Sequence, residues 1–98
     1  MTMATLRDLG HGRFGVEGAM TLATVTALRS SGQQAFARTT GPLEVDLSAV
    51  GRADSGGLAL LIDWLAWANA VGRSLKFRGL PAALLALARL SDVEDMLV

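Results

Sequence analysis

The sequence predicts an α/β domain built around a small, mostly parallel sheet. Segments with apolar residues at every second position alternate with segments in which apolar residues recur every three or four positions. Strands that alternate with helices in this way favour parallel pairing through right-handed crossovers. The 98 residues, half of them apolar, suffice for one domain with a core and are too few for two. We therefore expect residues 1–98 to form a single domain.

The first half of the chain predicts two strands and a helix. A short strand is expected near residues 4–9, and "RFGVEGAM" follows it, in which Phe14 and Val16 alternate with polar residues. From residue 20 to about residue 29 the spacing of three predicts a helix, whose apolar face carries Leu22, Val25 and Leu28. The following "SSGQQ" weakens this pattern and leaves the end of the helix open.

The second strand–helix pair begins at Pro42. After it, "LEVDLSAV" is the clearest alternating strand of the sequence. A helix from about Ser55 to Val71 follows, and Gly72 is expected to end it in the left-handed conformation.

The last part of the chain predicts one more strand and two helices. "SLKFRG" alternates with Leu75 and Phe77 on one side, and Pro81 opens the next helix at its favoured first turn. Ser91 and Glu94 stand at the spacing of a capping box, which predicts a short final helix.

Composition excludes several classes of function. Nine basic residues balance nine acidic ones, so the overall charge favours neither nucleic acid nor an anionic membrane as partner. The chain has no cysteine, which rules out disulfides, thiolate catalysis and cysteine zinc sites. Its start lacks the apolar core of a signal peptide, and its longest apolar run is too short to cross a bilayer, so we expect a cytoplasmic protein without membrane insertion.

The segment Asp54-Ser55-Gly56-Gly57 stands at the junction of a strand and a helix, where open α/β sheets present functional groups. Asp54 or Ser55 can cap the helix by accepting hydrogen bonds from its first amides. Capping does not explain Gly56 and Gly57, since each glycine costs a helix about 1 kcal/mol relative to alanine. Glycines would instead allow another protein surface, or a phosphate, to approach the helix start closely.

The helix that follows is apolar on two sectors. Leu58, Leu61, Ile62 and Leu65 are expected to cover the sheet. Leu60, Trp64, Trp67 and Val71 fall on the sector that also carries Gly56. Neighbouring helices could bury both tryptophans, since a helix apolar all round is often a core helix. Alternatively the sector is an exposed patch that binds a partner, because large aromatic residues anchor interfaces.

Other polar residues do not converge on a catalytic or metal site. The "GHGRFG" segment has dinucleotide-motif spacing but precedes a strand, so we interpret it as a turn, with His11 solvated. The candidate carboxylates are expected on different elements; they are Asp46, Asp54 and Asp63. The candidate phosphate-binding arginines lie at opposite ends of one helix; they are Arg52 and Arg73. We expect a non-enzymatic protein without metal or cofactor.

The stretch "EVDLSAVGRADSGGLALLIDWLAWANAVGRSLKFRGL" resembles the central motif of STAS domains, the family that includes anti-sigma factor antagonists. Within that family it is most similar to the MlaB-like branch, the cytoplasmic STAS subunits of the bacterial ABC transporters that maintain outer-membrane lipid asymmetry. The resemblance covers residues 13–98 and is sharpest from residue 45 to 80. It implies a mixed, mostly parallel sheet of four to five strands flanked by about four helices.

The resemblance also implies a function. Phosphorylated antagonists carry a turn that resembles Asp-Ser-Ser-Gly, in which the second serine is modified, whereas this chain has Gly56 at that place. Ser55 matches the hydroxyl residue of the MlaB-type turn, which implies docking on the transporter's MlaF-like ATPase subunit, within a membrane complex of the MlaFEDB type. The expected contact residues are Asp54, Ser55, Gly56, Gly57, Leu60, Trp64 and Trp67.

Two other functions stay open. An anti-sigma factor antagonist would be controlled by phosphorylation of Ser55, since a helix start stabilises a phosphate. A lipid- or nucleotide-binding module would be stabilised by its ligand alone. An isolated domain could also self-associate through the tryptophan sector.

Overall fold

The computed structural model describes residues 3–97 of the chain. Its strands are β1 (Ala4–Gly10), β2 (Arg13–Met20), β3 (Leu43–Ala53) and β4 (Leu75–Arg78). Its helices are α1 (Val25–Ala37), α2 (Ser55–Ala70), α3 (Ala82–Leu90) and α4 (Glu94–Leu97). The strands form one sheet in the order β1-β2-β3-β4. β1 pairs antiparallel with β2, and the other two pairings are parallel, so the predicted mixed, mostly parallel sheet is confirmed.

The two faces of the sheet differ in polarity. One face carries the apolar residues Phe14, Val16, Leu43, Val45 and Leu47, which belong to a buried cluster that all four helices join. The other face carries charged residues, among which Arg13 contacts Glu44 at 3.0 Å and Arg78 contacts Glu44 at 3.3 Å. Strand residues alternate between faces, so this division follows directly from the alternation in the sequence.

The first helix is placed differently from the prediction. α1 begins at Val25, because Thr21 to Thr24 form a turn in which the Thr24 hydroxyl donates to the Ala19 carbonyl at 2.8 Å and accepts from the Thr21 amide at 3.0 Å. Leu22, expected on the apolar face of the helix, therefore lies outside it and is 73% exposed. The helix continues through "SSGQQ" to Ala37.

An aromatic cluster explains why α1 extends beyond residue 29 to Ala37. Phe36 lies at its centre, with ring centroids 5.1 Å from Phe14, 5.4 Å from Trp64 and 5.8 Å from Trp67. The rings of Phe14 and Trp64 meet Phe36 edge-on and that of Trp67 is tilted, and such aromatic contacts stabilise the core beyond the burial of the rings. Tertiary packing thus stabilises a helical segment whose own sequence pattern is weak.

The ends of α2 and α3 share one motif. Gly72 has φ +71°, its amide donates to the Asn69 carbonyl, and the next amide donates to the carbonyl of Ala68. This is the predicted glycine-ended helix. Asp92, with φ +58°, closes α3 in the same way. Ser91 therefore belongs to the end of α3, and the predicted capping box with Glu94 is wrong.

No helix of the described residues is long and apolar enough to span a membrane.

Candidate partner-docking site

Asp54 fixes the junction between β3 and α2. It is the N-cap residue of α2, and its carboxylate accepts from the Gly56 amide at 2.8 Å. The other carboxylate oxygen accepts from the Leu22 amide at 3.3 Å. One side chain thus ties the start of α2 to the turn that follows β2, so Asp54 has a structural role in the site.

Ser55 is the first residue of α2 and is exposed. Asp54 already caps the helix, so the Ser55 hydroxyl is not needed for capping. No hydrogen bond of that hydroxyl is found among residues 3–97. The structure therefore presents Ser55 to solvent on a fixed backbone.

Glycine is required at positions 56 and 57 for a different reason from the one expected. Gly56 and Gly57 are buried, and a Cβ at Gly57 would lie 2.5 Å from the Met20 carbonyl oxygen. A Cβ at Gly56 would lie 2.9 Å from the amide nitrogen and the Cδ2 atom of Leu22. The close approach that requires glycine is made by the chain itself, at the end of β2 and the turn after it. The expectation that the glycines admit an external surface is corrected accordingly.

Of the two alternatives for the tryptophan sector of α2, burial by neighbouring elements holds for Leu60 and Trp64, and their expected exposure to a partner is wrong. Leu60 is 3% exposed and Trp64 is fully buried. α2 packs against α1 and α3 as well as β3, so neighbouring elements surround it, which is the arrangement of a core helix. Trp67 is partly buried and packs against the core, and Val71 is half exposed.

A groove between α1 and α2 offers a partner an accessible surface, which the buried Trp64 and the partly buried Trp67 do not. Its volume is about 260 Å³. Gly56 in the first turn of α2 and Leu22 in the turn after β2 lie at one end of the groove. Its other lining residues are the apolar Val25, Ala59 and Leu60 and the polar Thr26, Arg29 and Asp63. Arg29 Nε lies 2.8 Å from Asp63 Oδ2. We call the groove together with Leu22 and Ser55 the Ser55 surface.

Leu22 is the residue that sequence reasoning missed. The spacing to Val25 and Leu28 assigned it to the core, and only the Thr21–Thr24 turn takes it out of the helix. Its side chain then packs over Gly56, next to Ser55. An exposed leucine beside an apolar groove is a typical anchor of a protein interface.

The remaining candidates are apart from this surface. Arg73 donates to the carbonyls of Phe36 and Gly41 and to the Thr39 hydroxyl, at 2.7 to 2.9 Å, so it holds the end of α1 against the α2–β4 turn. His11 is exposed in the turn between β1 and β2, with φ +57°.

The three carboxylates Asp46, Asp54 and Asp63 serve separate contacts. Asp46 accepts from the Ser48 amide at 2.9 Å, and this hydrogen bond, followed by one from the Ser48 hydroxyl, holds the pKa of Asp46 below its usual value. No group of three or more potential metal ligands occurs in the part of the chain that the structure describes.

Comparison with known proteins identifies the family. The sequence model of the MlaB STAS domain family matches residues 3–98. The chain therefore belongs to the STAS domain family, in its MlaB-like branch. The fold is also similar to the structure of the anti-sigma factor antagonist SpoIIAA in its unphosphorylated form, with a TM-score of 0.74 over 98% of this chain and 86% of that chain. Sequence identity is 12%, so this likeness concerns the fold alone. A search of curated proteins finds no significant match.

Proposed function

We propose that this STAS domain is a non-enzymatic accessory subunit that docks on the ATPase subunit of an MlaFEDB-type phospholipid ABC transporter. In this role it works in the cytoplasm, held at the inner membrane through its partner, and supports outer-membrane lipid asymmetry. The proposal rests on membership of the MlaB-like branch and on one structural observation. That observation is the exposed Ser55 directly before Gly56, which lines the α1–α2 groove together with the exposed Leu22.

The geometry is suited to docking because the site is preorganised. Asp54 fixes both sides of the junction through two backbone amides, and Gly57 lets α2 start in direct contact with the end of β2. A rigid surface loses little conformational entropy when it binds. Leu22 and the apolar groove walls supply area for burial, and Ser55 supplies an exposed hydroxyl.

A docked subunit can act without chemistry of its own. If it binds one conformation of the ATPase more tightly than another, it shifts the population by that difference in affinity. Stabilisation of the assembled ATPase is thus the mechanism we propose.

Recovery of partners from the native cell tests this function. Tagged wild-type protein should recover an ATPase together with a membrane permease. Ser55→Arg and Leu22→Glu should each weaken binding to the purified ATPase at least tenfold, as is typical of central interface residues. Leu90→Glu is the matched control, because Leu90 is an exposed leucine (85%) on a different helix and should leave binding unchanged.

The outcome that contradicts the proposal is equal ATPase binding by all three variants, each with an intact circular dichroism spectrum. Trp67→Glu is unsuitable as a probe of docking, since Trp67 packs against Phe36 and the substitution would disturb the core.

The exposure of Ser55 also favours a second candidate, an anti-sigma factor antagonist controlled by phosphorylation. The Ser55 hydroxyl is accessible to a kinase, and the helix start would stabilise the phosphate. Incubation with candidate kinases followed by intact-mass measurement distinguishes the two functions: stoichiometric modification of Ser55 favours the antagonist. Thermal stabilisation by a lipid or nucleotide alone would instead favour a small-ligand module.

A further inference from the structure

Leu22 is exposed, yet the backbone of the turn that carries it is held from two sides. On one side, the Asp54 carboxylate accepts from the Leu22 amide at 3.3 Å. On the other, the Thr24 hydroxyl accepts at 3.0 Å from the amide of Thr21, the residue directly before Leu22. Two polar side chains from different parts of the chain therefore fix the backbone on which Leu22 stands.

The Thr24 hydroxyl serves this turn and not the helix that follows. It also donates to the Ala19 carbonyl oxygen at 2.8 Å, and a second acceptor, the Thr21 carbonyl oxygen, lies 3.2 Å away. Among residues 3–97 it makes no capping hydrogen bond to α1, although Thr24 is the N-cap residue. Thr24 and Thr21 are both buried, so water has little access to replace these contacts.

Thr24 itself does not belong to the Ser55 surface. Its neighbours Leu22 and Val25 line the α1–α2 groove, whereas Thr24 does not. With 7% exposure, Thr24 offers a docked partner almost no area to contact. Any influence of Thr24 on docking must therefore pass through the backbone of the turn, and the residue of that turn that lines the groove is Leu22.

Loss of the Thr24 hydroxyl has a defined consequence for Leu22. The buried amide of Thr21 would lose its acceptor, and a buried donor without a partner is costly. The turn would relieve this cost by moving until the amide reaches water. Leu22 is the next residue and would move as well. Its Cδ2 atom, which lies so near Gly56 that a Cβ there would approach it to 2.9 Å, would then leave the start of α2.

We propose that Thr24 is a positioning residue for docking, whose buried hydroxyl holds Leu22 over Gly56 so that the partner meets an anchor already in place. An anchor held in its bound position loses little conformational freedom on binding, which favours affinity. The inference rests on the proposed ATPase docking. It adds a residue that sets the affinity without touching the partner.

A measurement without partner tests the positioning. Thr24→Val replaces the hydroxyl by a methyl group of similar size, and Thr24→Ser keeps the hydroxyl. NMR of the full-length chain should show NOEs between the Leu22 methyl groups and the Gly56 α protons in wild type and in Thr24→Ser, and these should be lost in Thr24→Val. Unchanged NOEs in Thr24→Val overturn the proposal.

Thr39→Val is the matched control for this measurement. The Thr39 hydroxyl donates to the Phe36 carbonyl at 2.8 Å and accepts from Arg73 at 2.9 Å, at the other end of α1. Its removal should lower stability as well but leave the NOEs between Leu22 and Gly56 intact. Loss of these NOEs in both valine variants would indicate a general effect of destabilisation and overturn the proposal.

Binding to the purified ATPase gives the second test, with every variant kept well below its Tm. Thr24→Val should weaken binding about tenfold, while Thr24→Ser and Thr39→Val bind as wild type does. In a Leu22→Ala background, Thr24→Val should cause no further loss, because the anchor is already absent.

The outcomes separate this inference from the docking function. Equal binding by wild type and Thr24→Val, or independent losses in the double variant, overturns the positioning role and leaves docking intact. A wild-type protein that binds no ATPase contradicts the docking function itself, and with it the effect of Thr24 on affinity.

Discussion

The contact between Gly32 and Trp64 gives the most direct test of the packing of α1 on α2. A Cβ built on Gly32 would lie 2.5 Å from Trp64 Cζ2 and 2.7 Å from both Cε2 and Nε1. Ordinary contacts of this kind measure 3.4 to 4 Å, so the Gly32→Ala substitution requires a movement of about 1 Å. Trp64 is fully buried and packs edge-on against Phe36. The indole ring therefore has little room to move.

The magnitude follows from two opposing terms. Overpacking a core costs about 1–3 kcal/mol, and the rigid ring places this contact at the upper end. Alanine in place of glycine in a helix returns about 1 kcal/mol. Gly32→Ala should thus lower the free energy of unfolding by about 2 kcal/mol, which corresponds to a decrease in Tm on the order of 10 °C for a domain of this size.

Chemical denaturation followed by circular dichroism measures this change. Gly51→Ala is the control, because a Cβ at Gly51 meets no atom within 4 Å, and its effect should stay within about 0.5 kcal/mol. Trp64→Phe removes the ring atoms that approach Gly32, so a double-mutant cycle should show a favourable coupling of about 1 kcal/mol between Phe at 64 and Ala at 32. Wild-type stability of Gly32→Ala, or additivity of the two substitutions, would show that Trp64 does not constrain position 32.

Three further predictions concern the docking junction and the polar face of the sheet. Gly57→Ala should lower the free energy of unfolding by about 2 kcal/mol, because the new Cβ would meet a backbone carbonyl that cannot rotate away. Ser55→Ala, the control, should leave the free energy of unfolding nearly unchanged, and equal denaturation midpoints of the two variants would contradict this prediction. Asp54→Ala should cost about 1–2 kcal/mol and Asp54→Asn less, since the single carbonyl oxygen of the asparagine side chain can still accept from one of the two backbone N–H groups, the Gly56 amide; equal losses in urea denaturation would argue against the capping role. The pKa of Asp46 is lowered in the folded state, chiefly by the Ser48 amide, so its contribution to stability is present above pH 3.8, the ordinary value, and is lost as pH falls through the folded pKa. Asp46→Asn should therefore reduce the loss of stability on acidification, and an NMR titration giving Asp46 a pKa at or above 3.8 would show this to be wrong.

Much of the fold could be predicted from local patterns. β3, α2 and β4 lie close to where alternation and helical spacing place them, and Gly72 ends α2 as expected. These features depend on residues near each other in sequence, since strand alternation, helix periodicity and glycine conformations are local properties. The Asp-Ser-Gly-Gly junction was also recognisable, and Asp54 proves to be its cap.

The site itself was predicted only in part. Ser55 is exposed as its role requires, but Trp64 and Leu60 are buried, and the partner-binding roles of all the predicted residues stay predictions. A helical wheel shows which residues share a sector, but it does not show which sectors other helices cover. Leu22 was missed for the complementary reason, since its spacing matched a helix that begins only at Val25.

Local patterns and motifs of the chain were enough to predict the α/β class, the mixed sheet, the position of the turn before α2 and the resemblance to STAS domains. The roles of the glycines and tryptophans, in contrast, depend on how the elements pack together. Gly32 and Gly57 are needed because Trp64 and the Met20 carbonyl, far away in the chain, lie against them. Phe36 completes α1 because it packs on aromatic rings from β2 and α2. Close packing depends on distances between elements, and those distances are set when the whole core is assembled.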